Sequence, residues 1–272
     1  MKEISLEEMR SIQIEMLDKL ADFCNENGIR YYLCGGTLLG AVRHKGYIPW
    51  DDDIDVNIPR PDLNKLLTIS NKKIANNLVI EAPGDEKGNS RSFYRIYNTD
   101  TELVAYNQRL GTEYRCNIFI DIFPVDALPH TKALNYLVYL ISGFLISMGN
   151  MSSVGEVVGT SSIKRILKRV LFPIARRKKP EEWARIADRY ASKRNYDRAS
   201  YIGVINTEAS HRFNERIPKA EYEPQVEVEF EGKKYCAPAG FDLYLKNLYG
   251  NYMSLPPASQ QVSHHDFKAF RN

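Results

Sequence analysis

Apolar residues recur at helical spacing through Leu6, Met9, Ile12, Met16, Leu20 and Phe23 until Gly28 stops the repeat, so the chain opens on an amphipathic helix. Ser5 followed by Glu8 reads as a capping box, and Ile4 with Met9 as a hydrophobic staple, which places the helix start at Leu6. Ile29 to Cys34 is a short apolar strand ending in Gly35-Gly36, after which Thr37 is placed to cap a small helix over residues 38–42. Asp51, Asp53 and Asp55 then alternate with Asp52, Ile54 and Val56. In an extended strand that sends the odd-numbered carboxylates to one face and Ile54, Val56 and Ile58 to the core. Pro59 ends this strand, and Pro61 suits the first turn of a helix running to about Ile69.

Strand-like runs follow at 78–81, 93–97 and 103–106, separated by polar turns such as Pro83-Gly84-Asp85. Asn117 to Asp126 is an apolar strand interrupted by Asp121, with Asp126 past Pro124 reading as a turn. The uncharged run from Ala133 to Met148 is shorter than the about 20 residues that span a bilayer, so it predicts a core or interfacial helix. Trp183, Ile186, Ala187 and Tyr190 begin another helix. Residues 201–205 form a strand, and Val226, Val228 and Phe230 enter a hairpin through Glu231-Gly232 to Tyr235. A last helix over 241–249 is closed by Gly250. The mixture predicts an α+β protein: a core over residues 1–130, a helical and partly basic insertion over 131–195, and C-terminal strands and a helix over 196–272 that pack on the core.

Composition narrows the partners. With 272 residues and a net charge of +3 the chain has ample apolar content for a core but too little positive charge to coat nucleic acid. Cys24, Cys34, Cys116 and Cys236 lie far apart without a C-x-x-C pair, which suggests neither a zinc site nor a disulfide framework. The charged N-terminus lacks a signal-peptide core, so a cytoplasmic location is expected. From Ile163 to Lys179 eight bases, Lys164 and Arg165 through Arg176–Lys179, interrupt an apolar pattern without one acid. That stretch reads as peripheral contact with a membrane surface, as a solvated helix face, or as an RNA-binding patch that lacks interleaved aromatics.

Candidate chemistry lies between Leu33 and Arg60. Carboxylates two apart in a strand sit roughly 6.5–7 Å apart along the backbone, from which two can share a small cation through oxygen bonds of about 2.1 Å. A solvated turn is the ordinary meaning of an Asp-rich run. An EF-hand loop is a third reading, but Val56 replaces its glycine and Asp62 its closing glutamate. Gly35 and Gly36 let a phosphate approach backbone N–H groups, and Arg43, His44 and Lys45 offer charge-assisted hydrogen bonds to a phosphoanhydride. Asp121, costly to bury unpaired, is the candidate third acid, against a structural salt bridge. His264 and His265 either reach a donor phosphate or belong to a free tail.

The blocks GGTLLGAVRHKGYIPWDDDIDV, FIDIFPVDALP and YLKNLYGNYMSLPP resemble the LicD family, which includes bacterial phosphocholine transferases and is related to the fukutin proteins. The resemblance runs over most of the chain. It implies a nucleotidyltransferase-like mixed sheet flanked by helices, with Gly35, Gly36 and Thr37 at the donor turn, and Asp53, Asp55 and Asp121 as catalytic, metal-binding acids. It further implies Mg²⁺ or Mn²⁺, a CDP-alcohol donor such as CDP-choline, and a glycan or lipid-linked glycan acceptor. No counterpart of the cysteine-bound zinc of a fukutin relative is visible. Were the cargo choline, its cation would need an aromatic cage, for which Trp50, Tyr94 and Tyr97 are candidates. Other classes open at this point are a nucleotidyltransferase acting from NTP on a small molecule, and a non-catalytic glycan- or lipid-binding scaffold.

Overall fold

Glu8 donates its backbone N–H to the Ser5 hydroxyl at 3.1 Å, and α1 (Leu6–Glu26) starts there as the spacing predicts. This is a computed structural model describing residues 2–87, 89–107, 112–153, 171–207, 213–261 and 267–271. Met9, Ile12, Met16, Leu17, Leu20 and Cys24 form the buried stripe of α1, which packs on a large mixed sheet. Its central path, edge to edge, is β1 (Lys2–Ile4), β12 (Phe267–Arg271), β6 (Tyr94–Asn107), β7 (Thr112–Leu128), β3 (Asp55–Pro59) and β2 (Tyr32–Leu33). β4 (Lys73–Ala75) and β5 (Leu78–Glu81) add to β6, while β8 (Tyr201–Val204) and β9 (Ile217–Pro218) add to β7. Helices flank this sheet, giving the mixed α+β architecture that the alternation of periods implied.

β3 and β7 run parallel, with Asp55 opposite Asp121 and Val56 opposite Ile122. Ile54, Val56, Ile58, Ile118, Ile120 and Ile122 are fully buried, so both strands are fixed by apolar packing and carry their acids with them. The crossover between them includes α3 (Arg60–Ser70), with Pro61 in its first turn as expected.

Several expectations change. The two runs at 93–97 and 103–106 are one strand, β6, whose register against β7 shifts between Asn98 and Leu103. Asp126 lies in β7 opposite Gly203 rather than in a turn, buried and clamped by both nitrogens of the Arg60 fork at 2.7 and 2.8 Å. Arg60 also reaches Asp188 of α5 (Pro180–Ala191) at 2.9 Å, which explains how an acid past a proline can be internal. The uncharged run is longer than predicted, forming α4 (Lys132–Ser153) of 22 residues, so by length and composition it could cross a bilayer and length no longer counts against spanning. Residues 171–175 of the basic stretch are helical, and its first part, 163–170, falls outside the described residues, as do His264 and His265. β10 (Gln225–Phe230) and β11 (Lys233–Pro238) make the expected hairpin, with Glu231 and Gly232 at positive φ in its turn. After the short α6 (Lys219–Tyr222), the closing helix α7 (Phe241–Tyr249) ends at Gly250.

Candidate active site

The site begins where β2 turns into a helix. α2 (Gly35–His44) starts at Gly35 itself, which adopts φ +53°, so both glycines lie in its first turn and Thr37 does not cap it. Thr37 instead accepts the Asp55 N–H at 2.9 Å through its hydroxyl, and Asp55 C=O accepts the Cys34 N–H at 3.2 Å. These bonds fix the start of β3 beside the start of α2. A Cβ on Gly35 would stand 3.1 Å from Asp55 Oδ2, and one on Gly36 would stand 2.7 Å from Asp51 Oδ2. Gly35 is favoured by its positive φ, and the missing Cβ at both positions leaves room for the carboxylates to stand against the backbone. The first-turn N–H groups of any helix lack intrahelical partners, and with the helix dipole they make this end attractive to phosphate.

The acidic run is not one strand. β3 starts only at Asp55, and 51–54 is an irregular segment that returns along α2, with Gly46 O against Gly40 and Asp51 against Gly36. Oxygens of Asp51, Asp52 and Asp53 converge within 4.8 Å of one another. α1 holds this segment by its backbone. Gln13 donates to Asp52 C=O at 3.0 Å and accepts the Tyr47 hydroxyl at 3.0 Å, while Arg10 donates to the carbonyls of Pro49, at 3.1 Å, and Asp51. Arg10 and Gln13 were not singled out in the sequence. Gln13 was legible only as a polar residue beside an apolar stripe.

Asp55 and Asp121 come together as register neighbours on β3 and β7, and Asp121 N–H donates to Ile54 C=O at 3.0 Å. Burial raises the Asp55 carboxyl well above the usual range, and the carboxylates of Asp53, Asp121 and Asp51 raise it further, against Arg95. The buried Cys34 thiol is raised by burial and then by Asp55, Glu215, Asp53 and Asp121. Four acids thus crowd one end of α2. Asp121 is clamped by the Arg95 fork, Nη2 to Oδ2 at 2.7 Å, and the guanidinium lies 3.5 Å from the centre of the Phe119 ring. The salt-bridge and site readings of Asp121 therefore coexist, since each carboxylate oxygen keeps a lone pair beyond the one given to arginine. An all-oxygen donor set with more acids than adjacent bases fits a hard divalent cation such as Mg²⁺ or Mn²⁺.

Other predicted residues fall elsewhere. Arg43 and His44 close α2 and Lys45 is its left-handed cap, about 13 Å along the helix from Gly35. Arg43 donates to the carbonyls of Tyr252 at 2.7 Å and Ser254 at 3.3 Å, so it straps the chain after α7 to α2. His44 is lowered by burial and by Arg43. The structure does not bring these bases to the glycines. Among the cage candidates, Tyr94 is buried with its hydroxyl donating to Asp188 at 3.0 Å, Tyr97 packs on Phe119 under Arg91 and Arg95, and Trp50 packs partly buried against the core. Tyr249 was missed. It stands at the end of α7, which packs beside α2, and although the residue is 37% exposed its hydroxyl is raised by burial of that end and then by Asp55, Cys34, Glu215 and Asp51. The signal was present in YLKNLYGNYMSLPP, a block with no acid to draw attention to it.

Residues 28–135, which hold the glycine turn and all four acids, match the family model described as LicD/FKTN/FKRP, nucleotidyltransferase domain. The match covers the segment that carries the glycine turn and the acids, and the likeness to this family extends beyond it in the relatives that follow. Over 279 aligned residues it is 26% identical to the lipopolysaccharide cholinephosphotransferase LicD of Haemophilus influenzae, covering 99% of each chain. It is also 56% identical over 36 residues to human ribitol 5-phosphate transferase FKRP, covering 13% of this chain and 7% of that one. Mannosyltransferase regulator 4 of Saccharomyces cerevisiae is 30% identical over 107 residues, 39% of this chain and 8% of that one.

Proposed function

We propose that this chain transfers a phospho-alcohol group, phosphocholine from CDP-choline, to a sugar hydroxyl of a cell-surface glycan such as lipopolysaccharide or of its lipid-linked precursor, using Mg²⁺ or Mn²⁺ on a nucleotidyltransferase-like fold. The observation that carries the reading is the pairing of Asp55 with Asp121 across parallel β3 and β7, beside the glycine-built start of α2. The full-length likeness to a cholinephosphotransferase supports the cargo. Asp53 and Asp55, with Asp121, would hold the cation, which when bound neutralises the donor phosphates and the departing nucleotide phosphate. Gly35, Gly36 and Thr37 present backbone N–H groups to the diphosphate. The acceptor hydroxyl oxygen forms a bond to the phosphorus carrying the alcohol, and that phosphorus loses its bridging oxygen, which leaves with CMP. Asp121, oriented by Arg95, takes the hydroxyl proton or holds the cation beside it. The stretch Ile163 to Lys179 would contact the membrane surface where a lipid-linked acceptor resides.

Incubation with CDP-choline, a glycan acceptor and Mg²⁺ is expected to release CMP and label the acceptor. Asp53→Asn and Asp55→Asn should each leave a folded protein with turnover reduced by about two orders of magnitude or more. Release of pyrophosphate from NTP instead would overturn the choice of donor, and near-normal turnover in either variant would remove the metal assignment.

A further inference from the structure

α4 turns two faces outward and inward that differ sharply. Asn135, Val138, Tyr139, Ser142, Gly143 and Met148 are buried, and Ser142 donates to Asn206 at 2.9 Å. On the other side Leu134, Tyr136, Leu137, Leu140 and Phe144 stand 46–62% exposed, at spacings of one to four residues that keep them within about half of the helix circumference. Nothing charged occurs from 133 to 153. Ile174, 42% exposed, lies in the helical segment 171–175, which packs through Ala175 and Phe172 with Met148, Met151 and Trp183 of α4 and α5. Cations frame this surface. Exposed Lys132 stands at the N-terminal end, and exposed Arg176, Arg177, Lys178 and Lys179 follow Ile174 at the other, in a sequence with no acid from 157 to 180.

We propose that the exposed face of α4 is a membrane-docking surface that lies in the plane of an anionic lipid bilayer, its leucines and aromatics entering the acyl boundary while Arg176–Lys179 meet the headgroups. Exposed apolar side chains so dense on one helix face mark an interaction site rather than ordinary surface. Charge selects the occupant: pairing this face with a second copy, parallel or antiparallel, sets cationic ends against cationic ends, whereas anionic headgroups complement both. A transmembrane role does not suit α4, because its opposite face is packed against α5 and its Ser142 is hydrogen-bonded to Asn206 in the segment after β8. The surface differs from the basic stretch alone in assigning insertion to Leu137 and Leu140, which no charge count would find.

The full chain is mixed with sedimentable vesicles of phosphatidylcholine alone, or of phosphatidylcholine with phosphatidylglycerol, without donor or acceptor. Wild type is expected to pellet with the anionic vesicles and to be released by salt, and Leu137→Ser combined with Leu140→Ser is expected to weaken that binding by more than about tenfold. A second variant with Arg176, Arg177, Lys178 and Lys179 changed to Gln leaves α4 untouched and is expected to lose the preference for anionic over neutral vesicles. Failure of wild type to pellet overturns the proposal, as does pelleting of a folded Leu137→Ser/Leu140→Ser protein equal to wild type. A dimer in light scattering that the leucine pair abolishes, with no vesicle binding, overturns it in favour of a second copy. Because the assay involves no turnover, each result is read separately from the transferase reading.

Discussion

An Asp51 oxygen lies 2.7 Å from where a Gly36 Cβ would stand, so Gly36→Ala must push the far end of that side chain aside. The helix itself gains from alanine by about 0.5–1 kcal/mol. The variant is therefore expected to melt no lower than wild type while transferring at least about tenfold more slowly, a separation read by a thermal melt beside a CMP-release assay. Glu215 makes a different statement about single residues. It is buried, its Oε2 has no hydrogen-bond partner among the described residues, and burial holds its carboxyl at about 8 from an ordinary 4.5, against a bond from the Val204 backbone. Below pH 4.5 both folded and unfolded chains keep the proton. As pH rises from 4.5 to 8 only the unfolded chain releases it, so stability falls across that window and levels off above it. Glu215→Gln should flatten this slope and gain on the order of 3 kcal/mol at neutral pH, measured by urea melts from pH 5 to 8.

Elements are tied together by charges that an apolar pattern does not reveal. Arg60, at the start of α3, grips Asp126 of β7 and Asp188 of α5, and Tyr94 of β6 completes the network, nearly all of it buried. Burial pushes the Asp126 carboxyl up and Arg60 pulls it back, the balance expected of a desolvated ion pair. Arg60→Met leaves Asp126 without its partner and is expected to cost about 3–5 kcal/mol in denaturant unfolding, whereas Arg60→Met with Asp126→Leu should recover much of that loss. The sequence showed the strand, the helix and the acid in the first two elements, yet read Asp126 as a turn residue. Proline past an apolar run ordinarily ends a strand, and only the parallel pairing of Pro124 with Ile58 and the remote Arg60 make continuation favourable.

At the scale of the molecule the chain ends are joined inside the sheet. β12 lies between β1 and β6, so the last described residues pair with Lys2–Ile4 on one side and with 101–105 on the other. Deleting residues 267–272 removes the partner of β1 and bares an edge of β6. The shortened protein is expected to melt lower and to aggregate in light scattering at concentrations where the full chain stays clear. Three sequence-distant pieces likewise meet at the acids: α1 supplies Arg10 and Gln13, β7 supplies Asp121, and α7 supplies Tyr249.

Periodicity and capping determined the long helices, the apolar strands and the hairpin, because these follow from contacts between residues close in the chain. The glycine pair and the alternating acids likewise marked the chemistry, since few backbones other than glycine tolerate carboxylates at that range. Tertiary structure alone decided that Asp121 faces Asp55 across two parallel strands, that Arg95 holds it there, and that Arg43 to Lys45 stand at the far end of α2. It also decided which face of an uncharged helix meets solvent. Burial, register and long-range charge pairing are properties of how distant segments pack, and no local pattern of residues encodes them.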